Sequence, residues 1–358
     1  MHAPGDTTRA GAYAGAVDHY LSPTRRDAVK ILWEEPATRS LLDEIVGQLA
    51  DNTVLRVLDV GCGVGDGLSL LRSAPGSRPW TLKPDCFSYV GLDLDEQLLD
   101  VARWLHGGAD NVRFEYGDIR DGAPAGTYDL YLSCGVPYSH LTKVELEQVL
   151  ASLFAAARRN SHPAAIVVDV LGRYSIEWTT HWDQQRWPYR MSFFDSDQPV
   201  ISADMTCYSG AELKAVLSQA ADLADCRLTD LACHDRSIMV GRHTSTGEFV
   251  SDLPPYRTLV NNLVDPDQDV DYEQLLFDVA LPDAPMPIGE FFHDFSRDWN
   301  ALITDMRQYS LQATSRDQVT AVLQPMLASG LERLEATKQR GLGVGHSLTA
   351  VAYTQPTR

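Results

Sequence analysis

The stretch VLRVLDVGCGVGDGLSLL, Val54 to Leu71, constrains this chain more than any other. A strand-like apolar run carries an acid, Asp59, near its end. It then gives way to glycines at every second position: Gly61, Gly63, Gly65 and Gly67. Glycine lets backbone N–H groups approach a ligand closely while the chain turns at once into a helix. Such a segment is expected to hold a small molecule at the carboxyl end of a strand in an α/β sheet.

The flanking sequence supplies the rest of that sheet. Helical spacing of Ile31, Leu32, Leu41, Leu42, Ile45, Val46 and Leu49 predicts a helical region from Pro23 to about Asp51. Strands are expected at Val54–Val60, Ser88–Asp95, Val112–Asp118, Tyr128–Gly135 and in AAIVVDVL. Helices are expected between them. One, EQLLDVARWLHGG, stops at Gly107–Gly108, and another opens on the capping box Thr142–Glu145. A second capping box, Ser209–Glu212, starts a further helix, and CRLTDLACHDRSIMVGRH reads as two strands joined by a turn. Alternating strands and helices predict a doubly wound, mostly parallel α/β sheet.

Charge and cysteines narrow the partners. A formal charge of −19 argues against a nucleic acid or an anionic membrane, both of which need a basic face. A neutral or cationic small molecule suits that field better. The six cysteines include no CxxC pair and read as reduced thiols of a cytoplasmic protein, with no metal site expected. No apolar run approaches the roughly 20 residues needed to span a bilayer.

The glycine spacing separates two kinds of ligand. A dinucleotide fingerprint, G-x-G-x-x-G, fails in both registers, because Asp66 or Leu68 stands where its last glycine belongs. The order Asp59, Gly61, Gly63, Gly65 instead resembles the loop of class I S-adenosylmethionine (SAM)-dependent methyltransferases, and the resemblance covers roughly Pro23 to His243. It implies a seven-stranded Rossmann-like sheet and SAM as cofactor. Asp59 would attract the cofactor's cationic groups, with Cys62 in the loop beside it. Asp93, followed by Leu94, would accept both ribose hydroxyls. Asp118 would accept the adenine amino group with Ile119 beside the ring, Ser133 and Cys134 would border the methionine part, and Tyr20 would close the pocket.

Methyl transfer asks the protein to align an acceptor, exclude water and, where needed, remove a proton. Tyr138 and His140, in CGVPYSHL after the fourth strand, are the catalytic candidates, His140 as the base. An aromatic-rich insertion, 174–208, is expected to cover the acceptor. Arg173, Tyr174, Glu177, Trp178, His181, Trp182 and Tyr189 are its substrate-binding candidates, Arg173 for a carboxylate. His346 becomes a further candidate if the C-terminal region folds over the site.

Three regions are expected: an N-terminal helical cap (1–52), a SAM-binding core (53–243), and a mostly helical C-terminal extension (244–358) that ends in a strand and offers a homodimer surface. The extension's helices are placed near Tyr256–Val264, Tyr272–Asp278, Ile288–Leu311 and Arg316–Arg340. The function expected is methyl transfer to a small aromatic or amino-acid-derived metabolite of natural-product biosynthesis, at C or O by preference. The alternatives are a SAM-binding protein with other chemistry or no catalysis, then a nucleic-acid methyltransferase or a nicotinamide enzyme.

Overall fold

The computed structural model describes residues 17–22, 25–49, 54–72, 87–192 and 201–355. Its frame is five parallel strands: β1 (Leu55–Val60), β2 (Phe87–Asp93), β3 (Val112–Tyr116), β4 (Leu130–Leu132) and β5 (Ala164–Gly172). They lie in the order β3-β2-β1-β4-β5. The order reverses at β1, and such a switch point opens a crevice beyond the strands' carboxyl ends. β5 is buried along its whole length, as an almost wholly apolar strand covered on both faces must be.

Helices sandwich this frame. A short α1 (Val17–Leu21) comes first, followed by a π-turn, Lys30–Glu34, that runs into α2 (Glu35–Gln48). α2, α3 (Asp66–Leu71) and α4 (Glu96–His106) bury leucines and Ile45 on one face of the sheet. α5 (Lys143–Ala157) and α6 (Gly210–Leu223) cover the other face. Both expected capping boxes are formed, Thr142 with Glu145 and Ser209 with Glu212. α4 ends as expected at the Gly107–Gly108 pair, where Gly108 takes the left-handed φ of 100°.

The expected seven strands become nine among the described residues. β6 (Arg186–Met191) and β7 (Ile201–Tyr208) form an antiparallel hairpin within the aromatic insertion, and β7 touches β5 only at Leu171 and Gly172. Phe193 and Phe194, at the hairpin's tip in sequence, lie outside the described residues. The segment read as two strands is one, β8 (Leu228–Arg236). Ser237 takes a left-handed φ of 56° after it, and Ile238, Met239 and Val240 then turn into the core.

The final strand corrects the expected domain plan. β9 (Ser347–Thr354) pairs antiparallel with β5 on one side and β8 on the other, so it lies inside the sheet and not on an appendage. Residues 244–346 are therefore an insertion between β8 and β9. They carry α7 (Tyr256–Leu263), α8 (Met286–Leu311) and α9 (Gln324–Thr337). Tyr272–Leu275 forms only a 3-10 turn, and α9 is preceded by a π-turn, Val319–Leu323. α8 and α9 share a third core with the lid, where Trp182 stacks on Phe292 and Phe295 on Trp299. None of the helices described is long and apolar enough to cross a membrane.

One buried acid holds the end of the insertion in place. Asp235 on β8 accepts from the backbone N–H groups of Leu342, Gly343 and Val344 at 2.8–2.9 Å. Replacing it with alanine leaves buried donors without acceptors. Asp235→Ala is therefore expected to cost about 3 kcal/mol, and Asp235→Asn, which keeps one acceptor oxygen, less. Equilibrium urea unfolding of the two variants tests this; equal midpoints for Asp235→Ala and the parent would refute it.

Candidate active site

The glycine loop runs from β1 into α3 through left-handed turns at Gly61, Gly63 and Gly65, with φ of 67°, 52° and 88°. Side chains are disfavoured in that conformation, which explains the glycines. The N–H groups of Gly61 and Cys62 donate to Leu92 O at 2.8 and 3.1 Å, pinning the loop to β2. Gly67 lets α3 sit directly against Asp59, whose carboxylate a Cβ there would strike.

Around the loop lies a cleft of about 350 Å³. Asp59, Gly61, Cys62, Gly63, Asp93, Leu94, Asp118, Ile119, Cys134 and Tyr20 all line it. Gly65 shapes the turn without lining it, and Ser133 does not face it either. The Ser133 hydroxyl donates to Val167 O at 3.1 Å and accepts from Asp169 N at 2.9 Å, so it fastens β4 to β5. Burial pushes the Cys62 and Cys134 thiols well above their ordinary range, which leaves both unreactive.

The three acids differ in what they have left to offer. Asp59 Oδ2 accepts from the Tyr89 hydroxyl at 2.5 Å, while Oδ1 is buried without a partner. Burial pushes its carboxyl up to about 7 against that hydrogen bond, and the charges of Asp66 and Asp93 add to the rise. Asp93 uses one lone pair of each oxygen, on Gly63 N at 2.7 Å and Asp95 N at 2.9 Å. Asp118 is chelated by Arg120, whose guanidinium meets both carboxylate oxygens at 2.7–3.0 Å.

Beyond the loop the cleft continues under the lid hairpin, where Tyr189, Met191, Ala203 and Met205 line it. His140 and Tyr138 also line it, on the 3-10 turn Pro137–His140. Tyr138 is nevertheless packed into the core, and burial, with the Arg186 charge, pushes the His140 imidazole down to about 4. Of the expected substrate-binding residues only Tyr189 faces the cleft. Trp178 and Trp182 are core residues, their indole N–H groups donating to Gly172 O and Ser175 O. Tyr174 meets Trp182 edge-on, and His181 stacks on Trp187. Arg173 is held by Glu212 and by Trp182 O, so it is not available to a ligand carboxylate.

Glu177 is buried away from the cleft, but it positions a residue that lines it. Its Oε2 lies 2.7 Å from His346 Nδ1, and its other oxygen accepts from His243 N. Burial alone would raise the Glu177 carboxyl; the His346 contacts outweigh it and hold the group below its ordinary range. His346 enters the cleft from the residue before β9. Arg25, Lys30, Glu34, Asp66, Arg236 and Arg242 also line it. Asp66 belongs to the glycine-loop stretch itself, but no local pattern in the sequence brings Arg25, Lys30, Glu34, Arg236 or Arg242 to that loop.

The residues fit a cationic cofactor: Asp59, at the start of a loop turned on left-handed glycines, keeps a buried carboxylate oxygen without a hydrogen-bond partner among the described residues. A methyltransferase-domain family model matches residues 57–160, which span β1 to the end of α5. No curated protein matches the chain. Similar solved structures include a SAM-dependent methyltransferase from Clostridium acetobutylicum, 12% identical with a TM-score of 0.42 over 62% of this chain and 91% of that one. CalS10, an amino pentose methyltransferase from Micromonospora echinaspora involved in calicheamicin biosynthesis, is 17% identical with a TM-score of 0.39 over 65% and 94%. DesVI from Streptomyces venezuelae is 17% identical with a TM-score of 0.38 over 62% and 92%. The acid–glycine loop and the switch-point crevice both fall within the matched stretch, so residues 57–160 carry a methyltransferase domain.

Proposed function

We propose that the protein methylates a small-molecule acceptor, an aromatic or amino-acid-derived metabolite of specialised biosynthesis, at carbon or oxygen by preference. One observation supports the reading: a single cleft is lined both by the glycine loop and by Tyr189, Met191, Ala203 and Met205 of the lid hairpin. Such a cleft suits a small acceptor, and the −19 charge disfavours a nucleic acid.

When bound, SAM supplies an electrophilic methyl group. In this reading Asp93 spends its remaining lone pairs on the ribose hydroxyls, Asp59 Oδ1 faces a cationic group, and Asp118 and Ile119 flank the adenine. His346 is the better base than His140. Its Nδ1 is engaged by a buried carboxylate, which fixes the ring and leaves Nε2 to accept a proton. Glu177 is the positioning residue of that pair.

Each role has a separate readout. Asp93→Ala is expected to weaken SAM binding roughly a hundredfold through two lost charge-assisted hydrogen bonds; unchanged calorimetric affinity would remove it from the ribose role. Asp59 binds a cation only when ionised, so SAM affinity should fall as pH drops through about 7, approaching tenfold per unit, and Asp59→Asn should flatten that profile. Turnover is followed as S-adenosylhomocysteine released with a panel of phenols and aromatic amino acids and their keto acids. With an acceptor found there, His346→Gln should lower kcat roughly a hundredfold or more and leave SAM affinity intact. A larger loss in His140→Ala than in His346→Gln would reverse the assignment. Release with none of the panel would count against the acceptor class.

A further inference from the structure

The same cleft that holds the acids also carries cations in its wall. Arg25, Lys30, Arg236 and Arg242 all face it. Arg25 pairs with Asp66, and Arg236 lies 2.9 Å from Asp169. Lys30 differs. The nearest carboxylate oxygen recorded for its ammonium is Glu34 Oε2, 3.8 Å away and outside hydrogen-bond range. Lys30 shares that carboxylate, whose Oε1 accepts from Arg257 at 2.7 Å and from the Ser237 hydroxyl at 3.0 Å. A quarter of the Lys30 side chain remains exposed, and the residue lines the cleft.

The local backbone reinforces this reading. Lys30 and Glu34 are the first and last residues of the π-turn that opens into α2. Single π-turns are rare and cluster at functional positions, because the widened turn re-aims the side chains it carries. Burial disfavours the charged form of Lys30 more than the Glu34 charge favours it, and Arg236 and Arg242 add to that cost, which an incoming anion would relieve.

We propose that this cationic wall of the cleft seats a carboxylate carried by the acceptor, with the Lys30 ammonium as its main partner and Arg242 beside it. The proposal rests on the reading that the cleft holds a small acceptor next to SAM. A monoanion suits the site better than a phosphate dianion, since Arg25 and Arg236 are already paired and Lys30 shares the Glu34 carboxylate with Arg257. The acceptor is then an aromatic or amino-acid-derived acid, and its carboxylate docks here and not on Arg173.

The test titrates the full-length protein with S-adenosylhomocysteine, then titrates the loaded protein with 4-hydroxyphenylacetate, its neutral amide 4-hydroxyphenylacetamide, and phenyl phosphate. The acid is expected to bind about tenfold or more tightly than the amide. That advantage should disappear in Lys30→Met and shrink in Arg242→Gln, with S-adenosylhomocysteine affinity kept in Lys30→Met. Acid and amide binding alike, phenyl phosphate outcompeting the acid, or no acid binding at millimolar concentration would each overturn the proposal. So would a Lys30→Met protein that loses S-adenosylhomocysteine affinity but keeps the acid's advantage, since the lysine would then serve the cofactor's own carboxylate. If Lys30→Met melts at room temperature, an undiminished acid preference in Arg242→Gln refutes the site by itself. Absence of S-adenosylhomocysteine binding in the parent protein would be seen before any acid is added; it sinks the cofactor-cleft reading and this proposal with it.

Discussion

Asp169 lies in the middle of β5, almost wholly buried, and receives hydrogen bonds from several elements at once. Gly135 N and Val136 N donate from the loop after β4, the Thr349 hydroxyl from β9, and Arg236 from β8. Arg236 extends the reach, donating to Ser347 at 3.0 Å and to Thr38 on α2 at 2.8 Å. Removing either charge would strand the other inside the protein, at about 3–5 kcal/mol. The consequence for the site is geometric. Val136 is held at a left-handed φ of 61°, unusual for a β-branched residue, and the chain then sets Pro137 against Gly61. The loop after β4 and the glycine loop are thus placed relative to each other by one buried carboxylate.

The same economy explains why the helical insertion belongs to the catalytic unit. It interrupts the sheet between β8 and β9, so the sheet cannot close until the inserted chain returns. Two acids guide that return. Asp235 grips the backbone just before β9, and Glu335 on α9 accepts from Ile238 N and Met239 N at 2.9 and 3.1 Å just after β8. Burial pushes the Glu335 carboxyl up to about 7 despite those bonds, so its proton is weakly held near neutrality. His346 is the residue by which the chain re-enters the sheet, and this is how it comes to line the cleft. An appended domain would not need to deliver any particular residue there.

Much of the frame was legible because it is written in local patterns. The acid–glycine loop, the apolar β5 and both capping boxes depend on residues within a few positions of one another, and each forms as its pattern predicts. The acids Asp59, Asp93 and Asp118 were legible for the same reason, standing at strand ends that periodicity locates. The acceptor side was not. Trp178 and Trp182 look like a ligand wall in sequence, but a tryptophan satisfies its N–H on a nearby carbonyl as readily as it faces a ligand, and only tertiary packing, of Trp178 on Trp187 and Phe249 and of Trp182 on Phe292, decides between these. The partner of Glu177 lies 169 residues away, beyond any local pattern.

Charge shows the limit of composition most sharply. A net charge of −19 describes a sum over the chain and sets the field seen by a distant partner. Inside a cleft the Debye length and the surface total matter little, because a few side chains a few ångströms away act through a medium less screening than water. Here Asp59, Asp93 and Asp118 line the same cleft as Lys30, Arg236 and Arg242. An acidic protein can therefore offer a cationic seat, with its acids committed elsewhere: Asp27 and Glu34 to Arg257, Asp66 to Arg25, Asp169 to Arg236. What such a cleft accepts is decided by which of its charges are left without a carboxylate in hydrogen-bond range, and that is a property of the fold alone.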